Sequence, residues 1–235
     1  MLIANELALY NLGNFTIMSN IWLQLLKQHR AIAVIRCDDF ALAYQMALAV
    51  AAGGINLIEI TWNSDCPAQL VNKLRAKLPH CTIGVGTILN CQQLNTAVLA
   101  GAQFAFAPHF DPDLLHSCLV NYDIPLIPGA FSPTEIVNAW QNGATAIKVF
   151  PIKSLGGADY IKCLQAPLGQ IPLIPTGGIT VDNAKSMLDA GAIAVGISSN
   201  LFPKQAIANR DWSAITNRTI YLLQQINNQQ LATND

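Results

Sequence analysis

The amino-acid sequence predicts an α/β fold of eight strand–helix units. Short apolar runs recur along the chain, and segments with helical spacing separate them. The runs cover residues 31–36, 57–62, 82–87, 104–108, 125–130, 146–151, 172–176 and 193–197. Eight such units in one compact chain close most simply into a (β/α)8 TIM barrel with an N-terminal helix. A doubly wound open sheet is the alternative, but Arg36-Cys37-Asp38-Asp39 is not the glycine-rich turn that it would need.

The residues between the runs support the same winding. Every second run follows glycines that would end the preceding helix. These glycines are Gly53-Gly54, Gly101, Gly143 and Gly191. Three helix starts carry a capping side chain. They are Asp111-Pro112, Ser132-Pro133 with Glu135 in a capping box, and Thr180. The regular spacing predicts a repeat of two strand–helix units wound around one axis.

Composition limits the function classes. The chain has 235 residues, of which 52% are hydrophobic and 11% are charged, and its formal net charge is −1. These values favour a large core with strands that are buried on both faces. Because Lys and Arg form no runs, we predict no nucleic-acid partner and no membrane partner. The sparse charge also favours contacts between subunits.

We predict one barrel domain at residues 20–227. A poorly ordered extension is expected at 1–19, and a polar tail is expected at 228–235. Residues 20–30 carry apolar side chains with helical spacing, which predicts a helix that covers the bottom of the core. These side chains are Ile21, Trp22, Leu25 and Leu26.

Two observations point to a cytoplasmic protein. Residues 1–20 contain no Lys or Arg and make a poor signal peptide, and no later segment has the apolar length to span a bilayer. The six cysteines form no C-x-x-C pair, and the four histidines show no ligand spacing beside them. We therefore predict reduced cysteines, no disulfide framework and no metal site.

The apolar run at residues 146–151 carries the candidate reactive group. Lys148 lies in the middle of this run, which predicts a buried strand. Burial disfavours a charged amine, and a neutral amine is a nucleophile that can form a Schiff base with a ketone. The alternative is a lysine that reaches the surface or pairs with a buried carboxylate.

Other candidate residues follow from the barrel itself, because functional side chains lie at the carboxyl ends of its strands. The residues at or near those ends are Arg36, Glu59, Asn63, Thr87, Pro108, Gly129, Lys148, Thr176, Ser198 and Ser199. Within its apolar run Glu59 is either a structural ion-pair partner of Lys148 or a general acid/base.

Residues 176–180 predict a phosphate site. Thr176-Gly177-Gly178-Ile179-Thr180 leads from the seventh run into a helix start, and glycines let a phosphate approach backbone amides closely. Ser198 and Ser199 follow the eighth run, so both segments occupy the usual phosphate position of a barrel. An ordinary glycine turn with a threonine cap is the alternative.

Five motifs, in order, carry a resemblance to a known family. They are Glu59-Ile60-Thr61, Gly84-Val85-Gly86-Thr87, Pro128-Gly129, Ile147-Lys148-Val149-Phe150-Pro151 and Pro175-Thr176-Gly177-Gly178-Ile179. From about Ile21 to Ile207 the chain resembles the 2-keto-3-deoxy-6-phosphogluconate (KDPG)/4-hydroxy-2-oxoglutarate (KHG) aldolases, which are class I aldolases.

The resemblance implies a role for each candidate residue. Lys148 would form a Schiff base with the pyruvyl carbonyl, and Glu59 would relay protons through water. The pocket residues would be Thr87 and Thr176, shaped by Pro108 and Phe150, with Gly177, Gly178 and Ser199 at the distal phosphate. It also implies no metal, no cofactor and a homotrimer, with pyruvate and a phosphorylated keto sugar acid as the small-molecule partners.

One position departs from the phosphogluconate type. Many such members have Arg where this chain has Asn63, whereas galactonate-type members have an Asn-Ser pair like Asn63-Ser64. We therefore assign the substrate carboxylate to Arg36. The resemblance implies cleavage of KDPG or its galactonate epimer to pyruvate and glyceraldehyde 3-phosphate. The alternatives are cleavage of KHG to pyruvate and glyoxylate, and a barrel that binds a phosphorylated ligand without catalysis.

Overall fold

The computed structural model describes residues 20–122 and 124–227. The extension predicted at 1–19 and the tail predicted at 228–235 lie outside the described residues. Helix α1 occupies residues 20–29, as the apolar spacing predicts.

Strands and helices then alternate along the chain. The strands are β1 Ala31–Ile35, β2 Leu57–Thr61, β3 Thr82–Gly86, β4 Ala105–Phe106, β5 Leu126–Ile127, β6 Gly129–Ala130, β7 Ile147–Val149, β8 Leu173–Pro175 and β9 Val195–Ile197. The helices are α2 Phe40–Ala52, α3 Pro67–Lys77, α4 Cys91–Leu99, α5 Pro112–Asn121, α6 Pro133–Gln141, α7 Ala158–Leu168, α8 Ala184–Asp189, α9 Lys204–Ala208 and α10 Trp212–Asn227, with a 3-10 helix at Ile152–Leu155.

All strand pairs are parallel, and the strands form two sheets. The order in the first sheet is β5-β4-β3-β2-β1-β9, and in the second it is β6-β7-β8. The fifth predicted run is divided, because β5 pairs with β4 while β6 pairs with β7. Pro128 lies between these two strands and has no N–H to donate to either ladder. One bridge, from Thr176 to Gly196, links the second sheet to the first. The predicted α/β fold with parallel strands is confirmed.

Side chains along the strands alternate between two apolar layers. The inner layer contains Ile32, Val34, Leu57, Phe104, Phe106, Ile127, Ala146, Ile174 and Ala194, with Trp22 and Leu26 of α1. The outer layer contains intervening strand positions such as Ala33, Ile58 and Val85, together with the buried helix faces. Trp22 stacks on Phe104 with 4.7 Å between ring centroids, so α1 packs against the inner layer.

Most of the predicted helix boundaries are found. Asp111 and Ser132 are N-caps, and Ser132 forms the predicted capping box with Glu135. The glycines that follow α2, α4, α6 and α8 have left-handed backbone angles. They are Gly54, Gly101, Gly143 and Gly191. Within the described ranges no helix has the length and apolar character needed to cross a bilayer.

The helix start at Thr180 differs from the prediction. Helix α8 begins only at Ala184, with Asn183 as its N-cap. Thr180 and Asn183 instead exchange two hydrogen bonds across a turn. The Thr180 N–H donates to Asn183 Oδ1 at 2.7 Å, and the Asn183 N–H donates to Thr180 Oγ1 at 3.1 Å. The hydroxyl group of Thr180 is therefore bonded within this turn, one turn before α8 begins.

Candidate active site

Lys148 occupies the middle of β7, where it is only 5% exposed. Its neighbours in the sheets are Gly129 of β6 and Ile174 of β8. The Nζ atom lies 5.0 Å from the ring centroid of Phe150 and 5.7 Å from that of Phe106, within the range of a cation–π contact. Among the described residues no carboxylate lies within 4.0 Å of this amine. Lys148 is therefore neither a surface lysine nor a member of a tight ion pair.

Glu59 lies on β2 and is 2% exposed. A Cβ atom on Gly86 of the neighbouring strand would lie 1.6 Å from Glu59 Oε1, so the glycine provides the space for the carboxyl group. That oxygen is buried and has no hydrogen-bond partner in the described part of the chain. Burial raises the pKa of Glu59, and the positive charges of Lys148 and Arg36 lower it in part. A carboxyl group with a raised pKa is a stronger base once ionised and holds its proton to higher pH, which suits a group that passes protons in both directions.

One cavity of about 660 Å³ joins these two groups. The predicted site residues that line it are Arg36, Glu59, Asn63, Thr87, Pro108, Lys148, Phe150, Thr176, Gly177, Gly178, Ser198 and Ser199. The fold thus brings these residues to one place, at the carboxyl ends of the strands, whereas the candidate Gly129 lines a separate, smaller cavity with Pro108 and Phe150. Their individual roles stay predictions.

The loops after β1 and β2 are tied together beneath Arg36 and Asn63. The backbone N–H of Cys37 donates to Ser64 Oγ at 3.3 Å, and Ser64 Oγ lies 3.1 Å from Thr61 Oγ1. The Asp65 N–H donates to the carbonyl of Cys37 at 3.0 Å. Arg36 precedes one end of this network and Asn63 precedes the other, so the network fixes the two loops relative to each other.

Thr87 has an unusual backbone conformation. Its φ angle is +61°, in the left-handed region that β-branched residues rarely adopt. Such strain costs roughly 1–3 kcal/mol and is found mainly at functional sites. Thr87 directly follows Gly86, the glycine that gives space to Glu59. The strained residue therefore lies at the same cavity as Glu59.

The phosphate end of the cavity is formed by residues 176–178 and 198–199. Gly177 packs against Phe150, because a Cβ atom there would lie 3.0 Å from the ring. Asn183 Nδ2 donates to the carbonyl of Gly178 at 3.1 Å, and Asn200 Oδ1 accepts from the N–H of Val181 at 2.9 Å. The first bond holds the turn after Gly178 together, and the second joins this turn to the segment that follows β9.

Several cavity residues were not predicted from the sequence. They are Val34, Met46, Ile179, Gly196, Phe202 and Ile207, with Phe106 beside the amine of Lys148. Val34, Phe106 and Gly196 each lie two residues before a predicted site residue. Because side chains two positions apart on a strand share one face, strand alternation could have identified these three residues. Met46 comes from a helix, and Phe202 and Ile207 come from beyond the last strand, where no such periodicity applies. The described part of the chain brings together no group of three or more potential metal ligands.

Fold and site together define a class of enzyme. A buried amine and a buried carboxyl group line one cavity at the ends of parallel strands. Schiff-base chemistry needs these two groups, an amine as the nucleophile and a carboxyl group as the general acid/base. The family model described as KDPG and KHG aldolase matches residues 23–218. The chain belongs to the KDPG and KHG aldolase family.

Relatives of known name agree with this membership. A 2-dehydro-3-deoxy-phosphogluconate aldolase of Treponema pallidum (strain Nichols) is 34% identical over 194 residues, or 82% of this chain and 91% of the relative. A KHG/KDPG aldolase of Escherichia coli (strain K12) is 33% identical over 174 residues, or 74% of this chain and 81% of the relative.

A solved structure extends the likeness to three dimensions. It is the crystal structure of a KDPG aldolase from Legionella pneumophila with pyruvate captured at low pH as a covalent carbinolamine intermediate. The two chains are 31% identical with a TM-score of 0.78, and the match covers 84% of this chain and 95% of the other.

Proposed function

We propose that this chain is a class I aldolase that cleaves a 2-keto-3-deoxy-6-phospho sugar acid, either KDPG or its galactonate epimer, to pyruvate and glyceraldehyde 3-phosphate. The observation that carries the proposal is the environment of Lys148. Its amine is buried, lies more than 4.0 Å from any described carboxylate, and opens into the cavity that contains Glu59. Membership of the family and the pyruvate adduct of the Legionella relative support it.

The first steps join the substrate to the enzyme. The amine of Lys148 attacks the keto carbon and forms a carbinolamine, which loses water to become an iminium ion. Glu59 donates the proton that the departing hydroxyl group needs, through a water molecule in the cavity. The raised pKa of Glu59 favours its protonated form in this step.

Cleavage and release follow from the same two groups. Glu59, now ionised, accepts the proton of the substrate hydroxyl as the carbon–carbon bond breaks, and the bonding electrons move to the iminium nitrogen. Glyceraldehyde 3-phosphate leaves, and Glu59 returns the proton to the enamine carbon. Water then hydrolyses the iminium ion to pyruvate and free Lys148, and the proton released in this step returns to Glu59. The iminium ion accepts the electrons, so we propose that the enzyme needs no metal and no cofactor.

The two ends of the substrate occupy different parts of the cavity. Arg36 binds the carboxylate as a charged donor, with Asn63 and Thr87 beside it. The distal phosphate lies at the other end, against the backbone of residues 177–178 and the hydroxyl groups of Ser198 and Ser199.

A second candidate substrate is KHG, which the same steps would cleave to pyruvate and glyoxylate. The E. coli relative is named for both activities, and this observation keeps the candidate open. The comparison of the two substrates decides between them. If KDPG and KHG have equal kcat/KM values, the phosphate end of the cavity contributes nothing to specificity.

Borohydride trapping tests the Schiff base. Incubation with pyruvate and borohydride should add one adduct to the protein, and mass spectrometry of the peptides should place it on Lys148. Lys148→Met should remain unmodified, whereas Lys162→Met, which lacks an exposed lysine of α7, should be labelled like the wild type. An adduct on Lys153 or Lys162, or none, contradicts the proposal.

We further propose that residues 20–227 form one closed (β/α)8 barrel domain. In support, the bridge from Thr176 to Gly196 is accompanied by a hydrogen bond from the Ile193 N–H to the Leu173 carbonyl at 3.0 Å. An experimental structure with an open edge between β8 and β9 would contradict closure.

The proposed assembly is a homotrimer. Exposed apolar side chains support it, among them Leu89, Val120, Phe131 and Leu99, which is 79% exposed. Sedimentation equilibrium should give three times the chain mass of 25.3 kDa. A species of one chain mass would contradict the trimer.

A further inference from the structure

We propose that Lys153 supplies the positive charge at the phosphate end of the cavity and thereby sets the preference for a substrate with a distal phosphate. This inference rests on the proposed function, because it concerns the same substrate. Lys153 belongs to the 3-10 helix Ile152–Leu155, which begins directly after Pro151 at the end of the strand that carries Lys148.

The backbone fixes Lys153 beside the phosphate loop. The N–H of Lys153 donates to the carbonyl of Gly177 at 3.1 Å, and the N–H of Ile152 donates to the carbonyl of Thr176 at 2.9 Å. Two successive amides of the 3-10 helix therefore bind two successive carbonyls of the loop. The base of the lysine side chain cannot move away from the loop unless these bonds break.

The side chain of Lys153 runs across Gly178. A Cβ atom on that glycine would lie 2.4 Å from the Cβ atom of Lys153, 3.2 Å from its Cγ atom and 3.1 Å from its Cδ atom. The side chain then lines a cavity of about 480 Å³ together with Gly178, Thr180, Asn183, Ser199 and Asn200. This cavity shares Gly178 and Ser199 with the larger one, so Lys153 lies where the two meet.

The charge balance at this end favours a cation. A phosphate monoester carries a charge of about −1.5 to −2 at pH 7. The cations that line the larger cavity are Arg36 and Lys148, and both have other proposed roles. The groups proposed to contact the phosphate are otherwise neutral, and no carboxylate lines the smaller cavity. Within the described ranges Lys153 has no ion-pair partner within 4.0 Å, so its charge is available to a ligand.

A set of matched variants tests the inference. Lys153→Gln removes the charge and keeps most of the length, Lys153→Arg keeps the charge, and Lys162→Gln removes an exposed lysine that lines neither cavity. With KDPG we expect Lys153→Gln to raise KM by about tenfold, the scale of one charge-assisted contact. We expect Lys153→Arg and Lys162→Gln to stay within about twofold of the wild type.

Two further measurements isolate the phosphate. With the same keto acid lacking phosphate, Lys153→Gln and the wild type should have equal kcat/KM values. Exchange of the pyruvate methyl protons in heavy water should also be equal, because pyruvate does not reach this end. A loss of the same size with and without phosphate, or no change in KM for KDPG, overturns the role of Lys153.

The outcome also separates this inference from the proposed function. If pyruvate forms no borohydride adduct in the wild type, the aldolase proposal fails whatever Lys153 does. If the adduct forms but the wild type cleaves both substrates equally well, the role of Lys153 is overturned while the Schiff-base chemistry stands.

Discussion

At the scale of single residues, glycines on the inner strand faces make the site possible. A Cβ atom on Gly84 would lie 2.4 Å from the ring of Phe104, and one on Gly196 would lie 2.5 Å from Thr176 Oγ1. Together with Gly86 these positions give room to a larger side chain on an adjacent strand. The buried carboxyl of Glu59 depends most directly on such a position, since its space is the missing side chain of Gly86.

The substitution Glu59→Gln should separate chemistry from stability. Without a proton relay, turnover should fall about 10²- to 10⁴-fold, the usual contribution of a general acid/base. The variant should still form the iminium ion slowly, because Lys148 is unchanged. Steady-state cleavage assays and pyruvate methyl-proton exchange measure the loss of proton transfer, and borohydride trapping with pyruvate measures formation of the iminium ion. Exchange at the wild-type rate would show that Glu59 has only a structural role.

The stability of the same variant relative to the wild type should increase as the pH rises. The pKa of Glu59 is raised in the folded protein, so the contribution of this group to the free energy of unfolding is greatest below the unfolded value of about 4.3. It is lost as the pH rises through the folded value. The melting temperature of Glu59→Gln minus that of the wild type should therefore be larger at pH 8 than at pH 4.

At the scale of elements, the loops after β1 and β2 act as one unit. Ser64 joins them through Cys37 and Thr61, and these bonds keep Arg36 and Asn63 on the same side of the cavity. A carboxylate left without a charged partner in a partly buried site loses several kcal/mol of binding. We therefore expect the orientation of Arg36 to be the main determinant of how pyruvate binds.

Replacement of Arg36 should weaken binding of every ligand that carries the pyruvyl carboxylate. Arg36→Ala is expected to raise KM for KDPG and for pyruvate in the exchange reaction, by about tenfold or more. Asn63→Arg is the matched change, and it should alter the preference between gluconate and galactonate epimers more than it alters pyruvate handling. Unchanged pyruvate binding in Arg36→Ala would move the carboxylate to Thr87 and backbone amides.

The elements also show which features a sequence can predict. Each of the eight apolar runs contains strand structure, and the caps at Asp111 and Ser132 are found, because these signals are local. The division of the fifth run at Pro128 follows from a missing N–H that sequence reading did not take into account. The contact of Phe106 with Lys148, and that of Lys153 with Gly178, join residues far apart in the chain. Local patterns do not report such contacts.

At the scale of the whole molecule, the two apolar layers have different tasks. The outer layer holds the helices to the sheets, and the inner layer fills the space below the cavity. Trp22 of α1 enters the inner layer through its stack on Phe104, and Phe104 makes an edge contact with Phe106 at 5.8 Å. Phe106 in turn lies beside the amine of Lys148. One chain of aromatic contacts thus connects helix α1 to Lys148.

Truncation of Trp22 should therefore destabilise the protein as a whole. Trp22→Ala removes a buried indole and should lower the free energy of unfolding by about 3–5 kcal/mol. Trp22→Phe should cost less, because it keeps an aromatic ring against Phe104 and removes an indole N–H that has no hydrogen-bond partner among the described residues. Ile21→Ala is the control, since Ile21 is the adjacent residue of α1 and is 45% exposed. Urea unfolding should show one cooperative transition for all three variants, as expected of a single domain. Equal losses in Trp22→Ala and Ile21→Ala would mean that the inner layer does not depend on α1.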